Sequence, residues 1–321
     1  MQEMIEKAKK LLADGTVARV LGWKRGELPY SPEPAFFTSE EELCGLVYDG
    51  FCGVNLSKYM IQAGKMEGRT LVFLKPCDTY SFNQLLKEHR LERENAYIIG
   101  VGCKGKLDIE KIRALGIKGI KAVKEEGDTL KVDTIYGEKS CAYADGVMER
   151  CKVCKGSRHM VYDELLYEDL ELAVPAGDRF LKVRELEAMD PEERFAFWQG
   201  ELSKCIRCNA CRNVCPACSC NKCVFDNDRF DTAQKANSDT FEEQMFHLIR
   251  AFHVAGRCTD CGECSRVCPQ GIPLHLLNRK LIKDIDELYG EFQAGADTET
   301  KAPLTDFTLD DAEPSIVGER G

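Results

Sequence analysis

Two short stretches, Cys205 to Pro216 (CIRCNACRNVCP) and Cys258 to Pro269 (CTDCGECSRVCP), constrain this chain more than anything else in it. Both have the form C-x2-C-x2-C-x3-C-P. Three cysteines at two-residue intervals sit on one tight loop, so three thiolates can converge on one cluster. The fourth lies beyond that loop's reach. This is the spacing that holds cubane iron–sulfur clusters, with the fourth cysteine of each run serving the other cube. The expected ligands are therefore Cys205, Cys208, Cys211 and Cys268 for one [4Fe–4S] cluster, and Cys258, Cys261, Cys264 and Cys215 for a second. Pro216 and Pro269, with a fixed φ and no N–H, turn the chain away after the last ligand. Paired C-x2-C motifs also bind zinc, but zinc has no use for the x3-C-P ending.

The composition agrees with metal or redox chemistry. The chain has 321 residues and 18 cysteines, 11 of them between Cys205 and Cys268. It has no run of 18 apolar residues, so no membrane span is expected. Its start (MQEMIEKAKKLLADG) is amphipathic and acid-containing, unlike a signal peptide. A cytoplasmic location follows as the expectation, and there cysteines serve metals and redox work instead of disulfides. The net charge of −10 argues against nucleic acid as a partner, because phosphate binding needs a basic face.

Along the chain, residues 1–15 read as a helix and Val17–Trp23 as a strand. The proline-rich GELPYSPEPAFFTS reads as a loop, followed by a short helix capped at Ser39. Leu56–Gly64 reads as a helix. Thr70–Leu74 (TLVFL) is a strand that runs into Lys75-Pro76-Cys77-Asp78, with a helix over Ser81–His89. Ala96–Val101 is a strand that runs into Gly102-Cys103-Lys104, with a helix over Asp108–Leu115. This alternation predicts a parallel sheet with helices on its faces, and in such sheets chemistry gathers at the strands' carboxyl ends. Cys77 and Cys103 both fall there. Gly116–Ile135 reads as short strands, 160–172 as irregular, and a helix follows Asp190-Pro191. The stretch 226–238 reads as a loop, 240–255 as a helix capped by Asp239 or Thr240, and 272–289 as a helix. The predicted architecture is an α/β domain with a parallel sheet (1–199), a mostly helical ferredoxin-like dicluster domain (200–290) and a flexible acidic tail (291–321).

The remaining cysteines divide into groups. Cys141, Cys151 and Cys154 leave one ligand missing, which Cys103 can supply. That set would hold a third [4Fe–4S] cluster, the alternative being a zinc clamp or free thiols. Cys77, Lys75 and Lys104 mark the vicinity of a flavin or a cluster, against the plainer reading of a tight strand-to-helix turn. Cys218, Cys220 and Cys223 either supplement Cys215, bind a separate metal or line the cluster shell. Cys44 and Cys52 read as core or loop thiols, and His247 and His253 as packing or surface residues. No G-x-G-x-x-G follows an early strand and no phosphate-binding loop is present.

The segments KPCD (75–78), GVGCKGKLD (100–108), CKVC (151–154) and CIRCNACRNVCPACSC (205–220) together resemble the iron–sulfur beta subunits of cytoplasmic formate dehydrogenases and hydrogenases, including the deazaflavin-linked group. They are also similar to sulfhydrogenase beta and anaerobic sulfite reductase A subunits. The likeness spans roughly residues 70 to 285. It implies an electron-transfer subunit of an anaerobe's oxidoreductase, relaying electrons between a catalytic subunit of formate dehydrogenase or hydrogenase type and a flavin or heterodisulfide-reductase-like partner. Some deazaflavin-type members bind FAD and reduce a soluble carrier. In that branch the ferredoxin-like motif precedes the catalytic domain, whereas here it comes last. A zinc-stabilised scaffold without redox function is the reading from another class.

Overall fold

The computed structural model describes residues 1–154, 158–166, 177–226 and 240–304. Strand β4 (Thr70–Leu74) is buried along its whole length, as its unbroken apolar sequence requires when both sheet faces are covered. It lies between β1 (Arg19–Lys24) and β5 (Ala96–Gly100), parallel to both, and β9 (Glu164–Leu165) continues the parallel order beside β5. The expected parallel sheet is nevertheless mixed. β2 (Glu33–Phe37) and β3 (Leu46–Val47) both pair antiparallel with β1. β2 occupies a stretch expected to be a loop. β2 lies at the edge of the sheet, the place where a strand tolerates a proline such as Pro34.

Helix α1 (Gln2–Ala13) buries Met4, Ala8 and Leu11 against the sheet. Helix α2 (Pro76–Lys87) starts five residues earlier than expected, because Pro76 occupies the first turn, where its ring is preorganised for a helix. Cys77 therefore lies in that first turn and not on the connection before it. Nearly every residue of α2 is buried, so the helix has packing partners on more than one side. The sheet is one. The helical region is another: Ser81 Oγ lies 2.8 Å from Thr259 Oγ1, and Arg257 Nε donates to Glu88 Oε1 at 2.8 Å. Residues 291–304 also pack here. Asn83 Nδ2 donates to the Gly295 carbonyl at 3.1 Å, and Ala294 is buried. The first half of the expected flexible tail is thus docked on α2. Residues 305–321 lie outside the described residues, as do 167–172, 227–238 and the expected cap at Asp239.

After β5 come helix α3 (Ile109–Ala114), capped by Asp108, and an antiparallel meander of β6 (Ile120–Glu126), β7 (Thr129–Thr134) and β8 (Gly137–Ala142). They share a small core of Leu107, Ile112, Leu130, Val132 and Tyr143.

The helical region comprises α4 (Leu181–Ala188), α5 (Pro191–Leu202), the short α6 (Ala210–Asn213), α7 (Thr240–His253), the short α8 (Glu263–Arg266) and α9 (Leu274–Tyr289). Asp190 caps α5 by accepting from the Glu192 and Glu193 amides, both at 2.9 Å. The core of this region is cysteine-rich: Cys211 and Cys264 pack with Leu202, Phe225, Phe246, Ile272 and Leu274, and Cys205 and Cys268 border them.

Candidate iron–sulfur sites

The two cysteine runs fold the same way. Each loop places residues at corresponding positions in the left-handed region: Arg207 (φ 53°) and Asn209 (φ 60°) in the first, Asp260 (φ 55°) and Gly262 (φ 64°) in the second. Side chains rarely adopt this backbone. Its repetition curls each loop inward and starts α6 and α8 immediately afterwards. The hydrogen bonds repeat too: Asn213 N donates to Asn209 O at 2.9 Å, and Arg266 N to Gly262 O at 3.2 Å.

Cys205, Cys208, Cys211 and Cys268 line one cavity, together with Phe246, His247 and the loop backbone. Three come from the first run and the fourth from the end of the second, as the spacing predicts. Arg207 N donates to Cys205 Sγ at 3.3 Å. Cys208 and Ile206 face solvent, so this site opens at the molecular surface. Cys215, Cys258, Cys261 and Cys264 form the complementary group. Burial pushes the Cys261 thiol up to about 11 and the Cys264 thiol up to about 12, and the nearby Cys215 adds to both shifts. Asn278 Nδ2 donates to Cys264 Sγ at 3.7 Å. Hydrogen bonding from Cys218, against the opposing effect of burial, holds Cys215 down at about 5. Cys218, Cys220 and Cys223 line a separate cavity of about 380 Å³ with Lys58, Arg212 and Arg257.

A third group assembles in the α/β region. Cys77 from the first turn of α2, Cys103 from beyond β5, and Cys151 and Cys154 from the CKVC segment line one cavity. The membership differs from expectation. Cys141 sits on β8 opposite Leu130 and packs toward the meander core. It is not among the residues lining this cavity, and Cys77 is. Cys151 packs on the same core but also lines the cavity. Burial, followed by the charge of Cys151, pushes Cys103 up to about 11. Cys77 is raised by burial and then by Asp78.

Lys75 and Lys104 divide as well. Lys75 is buried and already engaged: its Nζ lies 2.9 Å from Asp78 Oδ2, donates to the Val54 carbonyl at 3.1 Å, and stands 4.2 Å from the Trp23 ring centroid. It locks the start of α2, and so the position of Cys77. Lys75 and Lys104 both border a cavity of about 340 Å³ on the other side of Cys103, with Tyr48, Glu125 and Tyr143.

The residues that sequence reading passed over are the charged ones between ligands. Asp260 lines the Cys77 cavity and pairs with Arg179 at 2.9 Å and Arg279 at 3.0 Å. Burial alone would raise the Asp260 carboxyl, but the two guanidinium groups outweigh it and hold it below its usual range. Glu263, fully buried, pairs with Lys106 at 2.9 Å, Arg266 at 2.8 Å and Arg150 at 3.5 Å. Its carboxyl is likewise held down, burial being overcome by Arg266, Lys106 and Arg150. The second cysteine loop is therefore pinned to the α/β cavity wall by the residues between its cysteines. Their signal in the sequence was an acid in each two-residue gap, Asp260 and Glu263, where the first loop has Arg207 and Ala210.

Among the described residues no three His, Cys, Asp or Glu side chains close on a single metal ion, and no helix is long and apolar enough to cross a membrane. Two sets of thiols do line shared cavities in fours. That donor set fits a cubane, whose four irons each take one thiolate, better than one tetrahedral ion.

Residues 201–272 match the family model described as "4Fe-4S dicluster domain". The chain carries a 4Fe–4S dicluster domain. It is also a homologue of two formate dehydrogenase beta subunits. "F420-dependent formate dehydrogenase subunit beta" of Methanocaldococcus jannaschii is 25% identical over 340 residues, covering 87% of this chain and 88% of that one. "F420-dependent formate dehydrogenase 1 subunit beta" of Methanococcus maripaludis is 26% identical over 307 residues, covering 77% and 78%. A solved structure of the F420-reducing [NiFe] hydrogenase complex from Methanosarcina barkeri aligns with 13% identity and a TM-score of 0.35 over 48% of this chain and 62% of that one.

Proposed function

We propose that this chain is an iron–sulfur electron-transfer subunit of a formate dehydrogenase or hydrogenase type complex, working in the cytoplasm and holding three [4Fe–4S] clusters. The observation that supports this is that two sets of four cysteines each line one cavity, while Cys215, Cys258, Cys261 and Cys264, which complete the dicluster spacing, lie within electrostatic reach of one another. The ligand sets we propose are Cys205, Cys208, Cys211 and Cys268; Cys215, Cys258, Cys261 and Cys264; and Cys77, Cys103, Cys151 and Cys154. Cubanes, when bound, supply one-electron carriers whose potentials depend on hydrogen bonds to sulfur and on exposure.

The chain's own residues set the order of these sites. Thr259 and Asp260 belong to the second loop and also wall the Cys77 cavity, so one layer of side chains separates those two sites. The two runs exchange their fourth cysteines, so the first and second sites adjoin. The Cys205 site lies at the far end and reaches the surface at Cys208. A catalytic subunit at one end and a flavin or heterodisulfide-reductase-like subunit at the other would use this row as a relay. The similarity to formate dehydrogenase beta subunits supports a formate-oxidising partner.

The experiment is anaerobic co-purification with the neighbouring catalytic subunit, followed by addition of formate or hydrogen. Bleaching of a visible iron–sulfur absorption is the expected result. A colourless chain containing zinc would overturn the proposal.

One observation favours a second reading, a flavin-carrying subunit that itself reduces a deazaflavin-type carrier. The cavity of about 340 Å³ beside Cys103 has room for a ring system next to the third site, with Lys104 at its edge. FAD retained at one per chain, with carrier reduction by the isolated protein, would establish it.

A further inference from the structure

Helix α7 (Thr240–His253) turns two nitrogen-bearing side chains inward, and neither finds all the partners its burial demands. His247 is 2% exposed and lines the cavity of Cys205, Cys208, Cys211 and Cys268. Neither of its ring nitrogens has a hydrogen-bond partner among the described residues. Arg250, one turn on, is 3% exposed. Its Nη2 donates to the Cys211 carbonyl at 2.9 Å, its Nε has no partner, and no carboxylate pairs with it among the described residues. Glu243, on the same helix, pairs with Arg207 through Oε2 at 3.1 Å, and its Oε1 is buried without a hydrogen-bond partner among the described residues. The Arg250 charge is felt by thiols of both runs, Cys215 and Cys264 from one site, Cys211 from the other, and Cys218 beside them. It is also felt by His247, whose ring is kept neutral by burial and by the Arg250 and Arg207 charges.

A buried cation without a counter-charge is unstable, and so is a buried ring N–H without an acceptor. Native proteins rarely leave such groups unpaired, and each instance asks for an explanation. Both would be satisfied here by one thing the proposed function supplies: sulfur atoms carrying negative charge. His247 lines the cavity of the first group of cysteines, and Arg250 lies within electrostatic reach of cysteines from both groups.

We infer that His247 and Arg250 set the reduction potentials of the two dicluster-domain clusters, His247 by donating a hydrogen bond to sulfur at the Cys205 site and Arg250 by placing a guanidinium between the two sites. The inference rests on the cluster reading above. A donor or a cation stabilises the more negative, reduced form, so both residues raise the potential. They are positioning residues, acting on the clusters through space and contributing no ligand.

The test is an EPR-monitored redox titration of the full chain, with iron counted per chain in every sample. His247→Phe is expected to lower the equilibrium constant for reduction of the Cys205-site cluster about tenfold, a downward shift of about 59 mV for one electron. Arg250→Met is expected to lower both clusters. His247→Gln, which keeps a donor, and Arg250→Lys, which keeps the charge, are expected to recover most of the loss. Should Arg250→Met shed iron while Arg250→Lys keeps it at wild-type potentials, the need for charge is upheld by that contrast. Unchanged potentials in His247→Phe and Arg250→Met at full iron content would overturn the inference, as would an Arg250→Lys protein shifted as far as Arg250→Met. Iron missing from the wild-type chain would defeat the cluster reading itself.

Discussion

The two cysteine-bearing regions of this molecule are built by opposite means. In the helical region each cysteine loop is a local object: seven residues, two of them left-handed, with the same backbone pattern repeated 53 positions later. In the α/β region the four cysteines come from three separate segments, joined only because β4 and β5 lie side by side and the CKVC segment folds back over their ends. A local motif carries its geometry in its spacing. An assembled site carries it in the topology, which spacing does not reveal: the cavity takes in Cys77, and Cys141 is not among its lining residues.

Removing bound metal should affect the two regions unequally. The helical region has a small core in which Cys211 and Cys264 are central, whereas the sheet has a large apolar core of its own. Where a site forms only on folding, metal-binding free energy is folding free energy, ~10 kcal/mol for structural metal in small domains. Chelating the iron should therefore unfold the region around residues 200–290 and leave the sheet. Limited proteolysis should cut the former first. Even cleavage throughout would show that both regions depend on metal alike.

The second prediction separates the assembled site from the local ones. Cys77→Ser should cost about four irons per chain, the content of one cubane. Cys141→Ser should cost none. The reverse outcome would restore the ligand set expected from the sequence alone.

A smaller effect concerns the seam. Glu263→Gln leaves Lys106 and Arg150 buried without their counter-charge, and breaking such a group costs about 3–5 kcal/mol. Denaturant unfolding should show that loss. A change under about 1 kcal/mol would mean that the buried pairs at this seam do not hold the two regions together.

The smallest is a pH effect. The folded carboxyls of Asp260 and Glu263 are held below their usual range. Their contribution is therefore complete above the unfolded carboxylate values of about 4. It is lost as pH falls through the lowered folded values. Stability should be level from about pH 8 to pH 5 in this respect and decline below about pH 4, less steeply in Asp260→Asn.

The helices and strands were largely legible because their apolar spacing is regular: TLVFL could only be a doubly covered strand, and Asp190-Pro191 could only open a helix. The mixed sheet was not legible, because three prolines in 26–39 disguised β2 as a loop. The grouping of Cys205, Cys208 and Cys211 with the distant Cys268 was legible from spacing. His247 and Arg250 were not, since His247 read as a packing or surface residue and nothing in the sequence singled out Arg250. Only the accounting of their unmade hydrogen bonds sets them apart. Asp260 and Glu263 were hidden in plain sight, inside the motif but between its ligands.

The most direct test of the central claim is an iron and sulfide count on the anaerobically purified chain. Three cubanes predict about twelve of each per chain. About eight of each would leave the Cys77, Cys103, Cys151 and Cys154 cavity without a cluster and contradict the three-site relay.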